Sequence, residues 1–168
     1  MKALLLALSM AVMTTSVLAQ NPSSQAVDQN LYAVALKASI LQMEREYGHI
    51  NDSVSGESVR TDYRHMVVEK DSVITDALPT EFDGHVVEYL DNTGLMARYR
   101  KLGKSYPTLR IRPIRNEGTA LKIAVVVYWV SYEKHRLLSG LSDWSEVEFR
   151  YDCDKQQFVI SSVKLGGI

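Results

Sequence analysis

From Leu121 to Glu133 the chain alternates two apolar faces, with Ile123, Val125, Val127 and Trp129 on one and Ala124, Val126, Tyr128, Val130 and Tyr132 on the other. A period of two in a run rich in valine and aromatic residues predicts a strand. A strand that is apolar on both faces has to be covered on both or strongly bent, so this one is expected at the centre of a sheet.

The period of two extends on either side. Leu109 and Ile111 alternate with Arg110 and Arg112, and Pro113 then removes a ladder donor, which predicts an edge position or a bulge. Asn116-Glu117-Gly118 turns the chain into the central strand. After it, Ser139 to Asp143 reads as a loop. Ser145 to Tyr151 alternates strictly and reads as a half-buried antiparallel strand. Asp152 to Lys155 is a turn into a last strand, Gln156 to Val163, which Gly166-Gly167 ends.

The first half is different. Asn21-Pro22-Ser23-Ser24 is a helix start signal, and a helix is expected from Gln25 to Tyr47, with Tyr32, Leu36, Ile40, Met43 and Tyr47 on one face and Gly48 at its end. Leu31, Val34, Ala38 and Leu41 form a second apolar stripe, which suggests contact with a second subunit. Residues 51–62 form a polar loop in which Asn51-Asp52-Ser53 fits a glycosylation acceptor, relevant only in a eukaryotic source. A short strand is expected over Tyr63 to Lys70, a loop over Asp76 to Gly84 and a strand over His85 to Leu90. Asn92 or Thr93 then caps a helix carrying Leu95, Tyr99 and Leu102, which Gly103 stops.

Helix, short strands, helix and a four-stranded antiparallel meander define an α+β chain, with the sheet expected to curl around the helices. In element order and length it resembles the nuclear-transport-factor-2-like (NTF2-like) group of conical α+β barrels, which serve as enzymes or as scaffolds. That resemblance implies a pocket in the mouth of a cone. It carries no matching motif, and a fold alone does not give a function.

Met1-Lys2, the apolar run Ala3 to Met13 and the ending Val17-Leu18-Ala19 read as a secretory signal peptide cleaved after Ala19. Gln20 follows where a lipoprotein would have cysteine, so residues 20–168 are expected as one secreted or periplasmic domain without a membrane anchor. Cys153 is the only cysteine, which excludes an intrachain disulfide and leaves packing to hold the fold. An intermolecular disulfide or a reactive thiolate is the alternative to a small residue tolerated in the turn Asp152-Cys153-Asp154, and the two flanking carboxylates, which disfavour the thiolate, favour the latter.

Charge is unevenly spread: acidic residues outnumber basic ones between Glu44 and Asp91, whereas Leu95 to Asn116 holds seven basic residues and no acidic one. Arg110 and Arg112, two apart on one strand face, could fork onto a carboxylate, phosphate or sulfate, or could pair with Glu146 and Glu148 of a neighbouring strand. Tyr128, Trp129 and Trp144 would line the concave face of a curled sheet and suit an aromatic or anionic small ligand. Export and a pI of 6.4 argue against nucleic acid.

For acid–base chemistry the candidates are His65 with Glu69, and His85 with Asp83 or Glu88. Metal-ligand spacing, phosphate-cradling glycine loops and nucleophile motifs are absent from the sequence, so no cofactor is expected. The expected function is a non-catalytic binding or interaction domain, partnered by a second copy or another exported protein. The alternative is a small NTF2-like hydrolase or isomerase using a His/carboxylate pair.

Overall fold

Residues 29–48, 61–133 and 136–167 are described by the structure, a computed structural model. In chain order they form α1 (Leu31–Tyr47), β1 (His65–Glu69), β2 (Glu81–Phe82), β3 (His85–Leu90), α2 (Asn92–Leu102), β4 (Tyr106–Ile111), β5 (Arg115–Glu117), β6 (Ala120–Glu133), β7 (Arg136–Asp152) and β8 (Gln157–Gly167). The signal peptide, the Ser23-Ser24 cap and Asn51 lie outside the described residues.

All eight strands join one mixed sheet in the order β2-β3-β1-β4-β6-β7-β8, with β5 beside the start of β6. The expected meander is present as β4-β6-β7-β8, each pair antiparallel. β1, however, lies parallel to both β3 and β4. Parallel neighbours need crossovers: residues 70–84 connect β1 to β3, and α2 connects β3 to β4.

The expected curl is not found, because the sheet is neither closed nor strongly curled. It extends on the far side of β4 through β1, β3 and β2, and the two helices lie on opposite faces rather than within one concave side. Leu36, Ile40 and Met43 of α1 cover Val68, Leu109, Ile123, Val125, Val147 and Phe149. Leu95 of α2 packs with Val67, Tyr106 and Val130 on the other face. β6 is thus central, with both of its faces used. Fully burying each such aliphatic or aromatic side chain contributes roughly 1.5–3 kcal/mol.

Several boundaries move for local reasons. α1 starts at Leu31 rather than Gln25, because Asn30 caps it: its Oδ1 accepts from the amides of Tyr32 at 3.1 Å and Ala33 at 3.2 Å. Of the stripe that suggested a second subunit, Leu31, Val34 and Ala38 pack against the chain's own core, while Leu41 does not join it. Asp91 caps α2, one residue before Asn92, by accepting from the Gly94 amide at 2.8 Å. Gly103 ends α2 with φ +66°, a left-handed conformation that glycine adopts without strain.

The expected loop over residues 139–143 is strand. It belongs to β7, where the pairing with β6 shifts between Val127 and Tyr128 and leaves Ser142 without an opposite residue. Of the two readings of Pro113, the edge fails, because β4 is interior with β1 on one side and β6 on the other, and the bulge holds: Ile111 faces Val125 and Arg115 faces Lys122, so the register against β6 shifts by one residue across the proline. β2 falls inside the loop expected over 76–84, and β8 continues past Val163 to Gly167. Cys153 is an exposed free thiol in the turn between β7 and β8. No helix among the described residues is long and apolar enough to cross a membrane.

Candidate binding groove

α2 is too short to cover its whole face of the sheet. Ala124, Val126 and Tyr128 of β6 point to that face but lie beyond the cluster under α2, and with Trp144 of β7 they floor a groove of about 600 Å³. Val126 and Trp144 are direct cross-strand partners. The β7 bulge brings Leu141 opposite Tyr128, placing an exposed apolar side chain on the groove's other side.

The remaining wall is the segment after β4. The Arg112 amide donates to the Ala124 carbonyl at 2.8 Å, so the chain stays bonded to β6 for one step beyond the strand. Pro113 then turns it away. The Ile114 amide donates to the Tyr32 hydroxyl at 3.1 Å, anchoring the wall to α1. Trp144 is seated by its neighbour strand: its partner is Gly166, whose missing side chain leaves room for the indole.

The polar rim is mostly self-neutralised. Arg115 reaches Glu146 at 2.6 Å, and Lys122 reaches Glu117 at 2.6 Å and Glu146 at 3.5 Å. The hydrogen bond from Lys122 holds the Glu117 carboxyl below its ordinary range. Arg112 is exposed, and among the described residues its guanidinium has no ion-pair or hydrogen-bond partner. The groove therefore combines an apolar floor with one uncompensated cation.

Arg110 lies just outside it. Its Nε donates to Glu69 Oε2 at 2.5 Å, and its guanidinium carbon stands 4.6 Å above the Tyr128 ring. Desolvation opposes its charge, but the hydrogen bond and charge of Glu69 outweigh that and raise its pKa above the ordinary value. Neither alternative expected for the arginine pair is seen in full: Arg110 is paired, although with Glu69 rather than Glu146, and Arg112 is not paired.

Of the five residues expected to bind ligand, Arg112, Tyr128 and Trp144 line the groove and Arg110 stacks on one of its floor residues. Trp129 does not join them. Strand alternation places it on the opposite face from Tyr128, where it faces Pro107 and Gly140 across the sheet. Ile114 and Leu141 were missed: Ile114 follows a proline that reads as an edge or a bulge, and Leu141 sits among small polar residues that read as a loop.

The histidines find partners other than those expected. His85 is buried and stacked on Phe82, with Nε2 2.9 Å from Glu44 Oε2 on α1 and Nδ1 3.1 Å from the Asp83 carbonyl. The Asp83 carboxylate pairs with Lys37 at 2.8 Å, and Glu88 pairs with Arg98. His65 is exposed and meets Asp62 at 3.0 Å, while Glu69, at the other end of β1, is taken by Arg110. The bond to His65 holds the Asp62 carboxyl below its usual range. The structure thus separates His65 from Glu69, and His85 from the carboxylates of Asp83 and Glu88. Among the described residues no group of three or more His, Cys, Asp or Glu is placed to hold a metal ion.

Comparison with protein-family models, with curated proteins and with solved structures returns no match.

Proposed function

We propose that this chain is an exported binding domain whose groove takes a small amphiphilic anion, an apolar body carrying one acidic group. The observation that carries the reading is the unpaired Arg112 at the rim of a groove floored by Val126, Tyr128 and Trp144. An apolar floor rewards desolvation of the ligand body, and a single guanidinium fixes the orientation of the acid through forked hydrogen bonds. The signal-peptide reading of residues 1–19 supports export, and the closed His85–Glu44 pair supports binding rather than acid–base chemistry, because both ring nitrogens are engaged away from the groove.

The test uses 8-anilinonaphthalene-1-sulfonate, an aromatic ring system with one sulfonate. Saturable binding is expected, weakening with added salt and by about tenfold or more in Arg112→Ala, the scale of one charge-assisted hydrogen bond. Trp144→Ala should weaken it as well. A probe that fails to bind, or binds equally to both variants, overturns the assignment.

A further inference from the structure

We propose that the protein self-associates through β8, two copies pairing antiparallel across a two-fold axis so that their sheets run on into one. The two ends of the sheet are unlike. β2 at one end is two residues long, whereas β8 at the other is eleven, and among the described residues nothing pairs with its outer edge. Long edges are ordinarily blunted by shortness, charge or proline. β8 contains one charged residue, Lys164, and no proline.

The bulge in β8 sets which register is self-complementary. Glu148 of β7 faces Ser162 and Phe149 faces Ile160, which leaves Ser161 as the extra residue. Side chains before and after the bulge therefore change parity: Phe158 and Ile160, then Val163 and Leu165, all point to the α1 face. When Ser161 stands opposite Ser162 of a second copy, Ile160 comes opposite Val163 and Phe158 opposite Leu165. Both strands then carry their extra residue within the same central step, Ser161 of each opposite Ser162 of the other, so the change of parity cancels across the pair. Every pair forms twice by symmetry, giving four apolar cross-strand contacts on one face. Ile160, 40% exposed in the single chain, is covered by this arrangement.

On the opposite face the same register sets Val159 against Lys164 of the second copy. Cys153 lies past the end of the other copy's β8, so the two thiols stand at opposite ends of the pair, roughly 50 Å apart at the rise of a strand. A disulfide-linked dimer would be a different assembly.

Sedimentation equilibrium of the secreted chain up to high micromolar concentration tests this, with and without reductant. A dimer that persists under reduction is expected. Val159→Lys places like charges opposite Lys164 twice and should weaken it about fivefold, while Val159→Glu should tighten it by a similar factor. Ile160→Lys, at a position already exposed in the single chain, should give a monomer with an unchanged circular dichroism melt. A monomer at every concentration, a dimer lost on reduction, or a dimer indifferent to the charge at position 159 overturns the proposal.

Discussion

The indole of Trp144 lies against the α-carbon of Gly166 on the neighbouring strand, so closely that a Cβ on residue 166 would overlap Cζ2 and Cε2 of the ring. The two residues face each other across β7 and β8, and the glycine is what lets the tryptophan lie down as part of the groove floor. Gly166→Ala should push the ring up into the groove at a cost of about 1–3 kcal/mol, the usual scale of overpacking. In a Trp129→Phe background the emission of Trp144 should also move to longer wavelength. Unchanged stability together with unchanged emission would show that the contact is not structural.

Glu69 restrains Arg110, so releasing it should add a second cation to the edge of the groove. Glu69→Gln is expected to tighten binding of the anilinonaphthalene sulfonate by a few-fold, opposite in sign to Arg112→Ala, because a neutral amide no longer competes for the guanidinium. Fluorescence titration of both variants side by side decides it. Equal affinity in Glu69→Gln and the unaltered protein would mean that Arg110 does not reach the ligand.

The buried His85 joins β3 to α1 through Glu44, a residue 41 positions earlier in the chain. His85→Ala removes that bond and the stack on Phe82, and chemical denaturation should register a loss of about 1–3 kcal/mol. The outcome that contradicts this role is a midpoint within error of the unaltered protein.

Tyr63 and Tyr89 are pushed up to about 12, both chiefly by burial and Tyr63 also by the Asp143 carboxylate. The folded chain therefore resists ionising them while the unfolded chain ionises at the ordinary value near 10. Their contribution to stability is intact below about pH 10 and is lost as pH rises through about 12. Absorbance at the phenolate band should show two tyrosines titrating late, and the melting temperature should fall across the same interval. Asp143→Asn should bring Tyr63 part of the way back.

Buried hydroxyls without a partner point the other way. Ser145 is fully buried under α1's face of the sheet, and among the described residues its Oγ has no hydrogen-bond partner. Ser145→Ala should be neutral or stabilising by up to about 1 kcal/mol in thermal unfolding, since it removes a desolvated polar group from an apolar neighbourhood. A clear destabilisation would disprove this.

The sequence made local geometry legible where one residue type answers one backbone need. Gly103 ends α2, and the alternation in 121–133 marks the central strand. The same alternation already separates Trp129 from Tyr128, so grouping them in one site set aside a constraint that period two imposes. The 139–143 stretch misled for a physical reason: serine and glycine around a bulge resemble a loop, because a bulge relaxes the demand for a packed side chain at each position. Partner choice was not legible. Nothing near Arg110 or His85 marks Glu69 or Glu44 as their partners, each 41 residues away, and nothing local marks β1 as the strand between β3 and β4.

That insertion of β1 has a consequence for the order of events in folding. β6, β7 and β8 join successive neighbours through short reversals, so their pairing demands little loop closure and can begin as soon as the hairpins meet. β3 and β4 cannot pair with each other, because each must dock on a strand laid down earlier in the chain, one through residues 70–84 and the other through α2. Assembly should therefore proceed from the meander outward, with the parallel half closing last and its amides the first to exchange with solvent when the native chain opens.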